Sequence, residues 1–175
     1  MAPFRDRLDD YQRLDWHILQ NGAIALYHRP SILDEDRAWL AANRYGLFDF
    51  DSGAWRHRDD FHDDVKRTLA FAGFYGRNLA AFVDALSELK VPEDGGTAIV
   101  LRHFDRFMAV EPELATAVLE ALETTSRFFL LFGRRFVGLV QCDEARVRVS
   151  AVGARPVLYN PQEREQANRA MRPTA

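Results

Sequence analysis

Gly73-Phe74-Tyr75-Gly76-Arg77-Asn78-Leu79-Ala80-Ala81-Phe82-Val83-Asp84-Ala85-Leu86-Ser87-Glu88-Leu89 reads as a tight turn that opens directly into an amphipathic helix. The two glycines give the turn backbone freedom that a residue with a Cβ lacks. Asn78 fits an N-cap or first-turn position, because its short side chain can accept a hydrogen bond from an otherwise unpaired helix N–H. Leu79, Phe82, Leu86 and Leu89 then recur at three- and four-residue steps, which defines one buried face. Ala80, Asp84, Ser87 and Glu88 fall on the opposite side. The turn and the first outward-facing helical positions are therefore presented together.

Upstream, Asp59 and Asp60 stand where an N-cap is wanted, followed by Phe61, Val65 and Leu69 at four-residue spacing. Asp63 and Asp64 then lie in the first turn, where the helix dipole favours acids. Leu47-Phe48-Asp49-Phe50-Asp51 alternates as a strand with Phe48 and Phe50 on one face. Before it, Ser31-Ile32-Leu33-Asp34 has the outline of a capping box, opening a helix that buries Leu33, Trp39 and Leu40 and is ended by Gly46. Residues 23–27 form a short strand. Residues 1–21 are mixed and charged, and Tyr11, Leu14, Trp16, Ile18 and Leu19 suit either a short docking segment or an ill-ordered arm.

Downstream, residues 90–96 are a loop and residues 97–101 an apolar run typical of a strand buried on both faces of a parallel sheet. Pro112 suits a first helical turn, with Leu114, Val118, Ala121 and Leu122 as the buried stripe. Phe128-Phe129-Leu130-Leu131-Phe132 reads as a second doubly buried strand. Gly133-Arg134-Arg135 then turns it into a hairpin with residues 136–140. Residues 146–149 alternate, Gly153 breaks them, and residues 156–159 add an edge strand before a charged tail from Pro161. The element order is α/β, with helices against a mainly parallel sheet. The expected core is Phe61, Leu69, Leu79, Phe82, Leu86, Ile99, Leu101, Leu122, Phe129 and Leu131.

Composition narrows the function. Across 175 residues the net charge is −3, yet residues 59–126 carry 13 acids against 6 bases, while residues 127–175 carry 9 bases against 4 acids. An acidic middle suits a basic partner, or is simply a solvated surface with uneven charge. One cysteine, Cys142, excludes an internal disulfide and fits a reducing compartment. No apolar run approaches the length of a membrane span, and the charged start has no signal-peptide core, so a cytoplasmic protein is expected. His57 and His62 are five residues apart, which misses the four-residue step that places two ligands on one helical face. No nucleophile elbow, Walker or dinucleotide motif is present, so no catalytic centre, metal or cofactor is expected. Arg134, Arg135, Arg146, Arg148 and Arg155 suit a nucleic-acid patch or a sheet edge defended by charge; few interleaved aromatics favour the edge.

The run Phe74-Tyr75-Gly76-x-Asn78-Leu79-x-Ala81-x-x-Asp84-x-Leu86 resembles the barstar family of ribonuclease inhibitors, and residues 96–105 resemble the strand that follows in that family. The resemblance spans residues 46–132 and implies a small parallel sheet flanked by helices. An N-terminal strand–helix unit packed on the core (1–45) and a C-terminal antiparallel hairpin with a frayed tail (133–175) would extend it. It implies a non-catalytic protein that blocks a basic ribonuclease or nuclease toxin by protein–protein contact. Direct binding to nucleic acid or membrane is not expected. Carried over residue by residue, the partner-binding positions are Phe74, Tyr75, Gly76, Asn78, Leu79, Ala80, Val83 and Asp84, with Glu88 on the same exposed side. Asp84 matches the aspartate that meets the nuclease's cationic phosphate site. Three departures stand out: Ala80 replaces an acid, Arg77 reverses a charge, and Val83 replaces a tryptophan. They leave open a scaffold or regulatory protein that uses the same fold for a partner other than a nuclease.

Overall fold

The computed structural model describes residues 3–145 and 147–163. Two short helices, α1 (Leu8–Tyr11) and α2 (Leu14–Gln20), precede strand β1 (Ile24–Tyr27). Helix α3 (Pro30–Ala42) leads to β2 (Tyr45–Asp51), a 3-10 turn (Ser52–Ala54), and helices α4 (Arg58–Thr68) and α5 (Leu79–Ser87). Strand β3 (Gly96–Arg102), helices α6 (Phe104–Val110) and α7 (Pro112–Leu131), and strands β4 (Phe136–Gln141) and β5 (Leu158–Tyr159) complete the order.

The strands form one sheet in the order β2-β3-β4-β1-β5, and every pair is parallel. Alternation along the strands splits the core in two. Ile24, Leu26, Phe50, Ile99, Leu101, Phe136 and Val140 face the side covered by α4, α5, α6 and α7. Ala25, Tyr27, Leu47, Ala98, Val100, Val137 and Leu139 face the side covered by α2 and α3. A strand covered on both faces has no polar face to show, which is why β3 and β4 read as continuous apolar runs. The predicted facing of Phe48 and Phe50 holds, since both pack on the first side.

The C-terminal antiparallel hairpin is not formed. Residues 128–131 are the last turn of α7, not a strand, and Phe132 is its C-cap. Because the element before β4 is a helix, the chain returns along the sheet and β4 runs parallel to both neighbours, β3 and β1. Phe129 is buried as expected, whereas Leu131 is 84% exposed. Leu79 is half-buried, and the other expected core residues are buried. The predicted strand over 146–149 is irregular where described, and Arg146 lies outside the described residues, as does the charged tail from 164 onward. The edge strand near 156–159 is found as β5, parallel to β1.

Three helix boundaries also differ. Helix α3 starts at Pro30 in the first helical position and uses no Ser31 cap, and Gly46 lies within β2; the helix ends at Asn43, with Arg44 left-handed (φ 63°). Helix α4 begins one residue before Asp59, with His57 as N-cap, and Asp60 reaches back to accept from the backbone N–H of Arg56 (2.8 Å) and His57 (3.1 Å). The first-turn acids are therefore Asp59 and Asp60 rather than Asp63 and Asp64.

Arg134 and Arg135 do not sit at an exposed tip. Arg134 is held by the Val91 carbonyl and by Glu93 (2.8 Å). Arg135 is buried, its Nε donating to the Gly95 carbonyl (2.7 Å) and its Nη1 lying 3.4 Å from fully buried Asp15. Arg155 likewise donates to Gln20 O, so Arg134, Arg135 and Arg155 are all engaged within the fold. Among the described residues no helix is long and apolar enough to cross a membrane.

Candidate functional site

The turn before α5 is built on α4. Helix α4 ends with Ala70 in the left-handed region (φ 53°), and Phe71 N–H bonds back to Lys66 O (3.0 Å), closing the helix in the way a C-terminal glycine usually does. The chain then passes along one face of α4, and alternate residues are tied to it. Lys66 Nζ donates to the Gly73 carbonyl (3.0 Å). The Tyr75 hydroxyl lies 2.6 Å from His62 Nδ1. The Arg77 guanidinium spans Asp59 (3.0 Å) and Asp63. The anchors 59, 62, 63 and 66 follow the three- and four-residue steps of a single helical face. Phe74, which lies between two tied residues, is 90% exposed.

Arg77 takes a left-handed backbone (φ 51°), a conformation that disfavours a residue with a Cβ, and its two carboxylate partners hold it there. These partners raise the guanidinium's pKa, so Arg77 stays a cation whose charge is answered within the chain. Asn78 is the N-cap of α5, its Oδ1 accepting from Ala81 N–H (2.9 Å), as its residue type predicts.

Burial acts on the pair beneath the turn. It lowers the pKa of fully buried His62, and the nearby Arg77 and Arg58 charges push the same way. It pushes the Tyr75 hydroxyl up to about 12, against the smaller opposing pull of Arg77. At neutral pH both side chains are uncharged.

Between this turn and α5 lies a groove of about 970 Å³. Phe48 of β2, Phe71, Ala81, Ala85 and Leu89 give it apolar walls, and Asp84, Glu88 and Lys90 stand at its edge. Of the nine positions singled out in the sequence, Phe74, Tyr75, Gly76, Asp84 and Glu88 line this groove. Asn78 is occupied in capping, and Leu79 and Val83 are half-buried and pack on the core. Ala80 is exposed one helical turn before Asp84, outside the groove. Asp84 and Glu88 are exposed, and among the described residues neither carboxylate is in an ion pair.

Sequence reasoning missed the α4 anchors and the groove walls. The anchors had a signal, since Asp59, His62, Asp63 and Lys66 share one face. The groove had none, because it depends on how far Phe48 of β2 stands from α5. Nothing in the site resembles a catalytic set. Cys142 is buried, and burial pushes its thiol up to about 12. Among the described residues no group of three or more His, Cys, Asp and Glu side chains is placed to hold a metal ion.

The family model for Barstar (barnase inhibitor) matches residues 45–141. The match starts with the first residue of β2 and ends with the last of β4, so it contains the turn, α5 and the groove. Curated proteins give no match to the chain.

Proposed function

Because the chain belongs to the barstar family, we propose that it is a non-catalytic inhibitor that binds a basic ribonuclease or nuclease toxin through the turn 74–78 and the exposed side of α5. The observation that carries this reading is the pair of exposed carboxylates, Asp84 and Glu88, which have no cationic partner among the described residues and stand on the rim of an apolar groove. A site that holds phosphates is lined with arginine, lysine or histidine, and a carboxylate accepts paired, charge-assisted hydrogen bonds from such groups. The apolar walls beside it exclude water, which strengthens a charge contact made there. Phe74 projects beside the same groove as an aromatic anchor.

Arg77 does not oppose this reading as its sequence position suggests. Its charge is spent on Asp59 and Asp63, and the three groups together remain net negative. The missing acid at Ala80 is a real loss of one contact, and it favours a second reading in which the partner is not a nuclease.

The test is inhibition of RNA hydrolysis by barnase. The inhibitor reading expects activity to fall in proportion to added protein until the two are equimolar. Full activity at a large molar excess would remove barnase-like nucleases as partners and leave the second reading.

A further inference from the structure

His62 is fully buried beneath the docking turn and hydrogen-bonds to it through Nδ1. Nδ1 meets the Tyr75 hydroxyl at 2.6 Å, while Nε2 is buried with no hydrogen-bond partner among the described residues. The imidazole packs at a tilt against the Phe61 ring (centroids 4.8 Å apart) and the Tyr75 ring (5.6 Å). The charged groups facing it are Arg58, Asp59 and Asp63 on α4 and Arg77 on the turn. Asp59 and Asp63 are already engaged by Arg77.

We propose that His62 is a positioning residue for the docking turn, and that the turn keeps its binding shape only while the His62 ring is neutral. In either neutral form, one hydrogen suffices for the contact between Nδ1 and the tyrosine hydroxyl. A second proton puts N–H groups on both nitrogens. Nδ1–H must then donate to the hydroxyl, whose own hydrogen loses its acceptor, Nε2–H has no acceptor among the described residues, and a charge sits among apolar rings beside two arginines. Relief comes from outward movement of Tyr75, which lets water reach both groups; this gives up the packing of Tyr75 on Phe71 (centroids 5.1 Å), while the side-chain anchors of the turn at Gly73 and Arg77 are exposed. Phe74 and Gly76 flank Tyr75 and move with it. Acid thereby loosens the contact surface before it unfolds the core.

The inference rests on the proposed docking role of the turn, but its test needs no partner. Amide hydrogen-exchange protection of residues 73–78 is measured in the free protein from pH 7.5 to pH 5, beside that of β3 and α7. The His62 ring is titrated by NMR in the same samples. Protection of the turn is expected to fall, by up to roughly tenfold per pH unit, as pH drops from the ordinary histidine value of about 6.5 towards the ring's lowered pKa, and to level off below it, while β3 and α7 hold. In His62→Asn, which keeps a polar atom near the position of Nδ1 but does not titrate, the pH dependence disappears. In Tyr75→Phe, which removes the hydroxyl alone, the turn is poorly protected already at pH 7.5. A flat wild-type profile, an equal fall in β3 and α7, or an unchanged slope in His62→Asn would each overturn the proposal. Failure of barnase inhibition would not touch this result, so the two readings fail separately.

Discussion

Replacing Arg135 by alanine is predicted to destabilise the protein by about 2–4 kcal/mol, although a sequence reader would place this arginine on an exposed hairpin tip. The side chain is 8% exposed. Its Nε donates to the buried Gly95 carbonyl at 2.7 Å, and the guanidinium lies over the rings of Phe4 (5.6 Å) and Tyr45 (6.0 Å). Losing a hydrogen bond from a charged donor to a carbonyl that then stays buried costs roughly 1.5–3 kcal/mol. Lost contact between the aliphatic stem and its neighbours adds to this. The total stays below that of a fully orphaned buried charge, about 3–5 kcal/mol. The reason is that Asp15 keeps Arg13 at 2.7 Å and the Tyr45 hydroxyl at 2.7 Å. Urea unfolding followed by tryptophan fluorescence reads the effect as a midpoint lowered by about 1–2 M at a slope near 2 kcal/mol/M. Arg135→Lys should recover only part, since an ammonium cannot span Gly95 and Asp15 as the planar fork does. A change below about 0.5 kcal/mol with an unchanged slope would show that the guanidinium is solvated and that the link from β4 to the 90–95 loop is misread.

Three further outcomes are expected. Leu86→Ala removes a fully buried side chain at the seam of α5 and α7, and should cost about 3–4 kcal/mol in the same assay; a loss under about 0.5 kcal/mol would contradict the α5 register. Burial raises the Asp36 carboxyl to about 6, with Tyr27 and Asn160 donating to it in partial opposition. Because the folded pKa lies above the unfolded one, this group's stabilising contribution is complete below about pH 4 and is lost as pH rises through 6. The stability of Asp36→Asn relative to wild type should therefore rise between pH 4 and pH 7 by on the order of 2–3 kcal/mol, and a constant difference would refute the assignment. Cys142 should resist a thiol-exchange reagent in the native protein and react only at the rate of opening, so fast stoichiometric labelling without denaturant would show that β4 ends in solvent.

Local chemistry carried the sequence reading well where a single element decides the outcome. Asn78, Phe82 and Leu86 announce the start and buried face of α5, and the apolar run 97–101 announces a central parallel strand. The reading failed where burial was inferred from apolarity alone. Five apolar residues, 128–132, looked like a buried strand, but Leu122, Ser126 and Phe129 continue the buried stripe of α7, leaving Phe128, Leu131 and Phe132 exposed. That one misreading generated the antiparallel hairpin and put Arg135 at its tip. The turn was legible as a turn, yet the role of Arg77 was not. Its sign against the family pattern suggested repulsion of a basic partner, whereas its meaning lies in Asp59 and Asp63, fourteen to eighteen residues earlier. The groove depends on β2 and α5 meeting in space, which no local pattern encodes.

The central proposal is that Asp84 meets a cation of the partner at the edge of the groove, and the affinity of Asp84→Ala for a ribonuclease that the parent protein is found to inhibit tests it most directly. The side chain is exposed and makes no ion pair among the described residues, so the variant should unfold at the same urea midpoint as wild type. Binding should weaken by roughly 2–5 kcal/mol, mostly through faster dissociation, with a smaller change in the association rate. An Asp84→Ala protein that folds normally and holds the ribonuclease as tightly as the parent would contradict the claim.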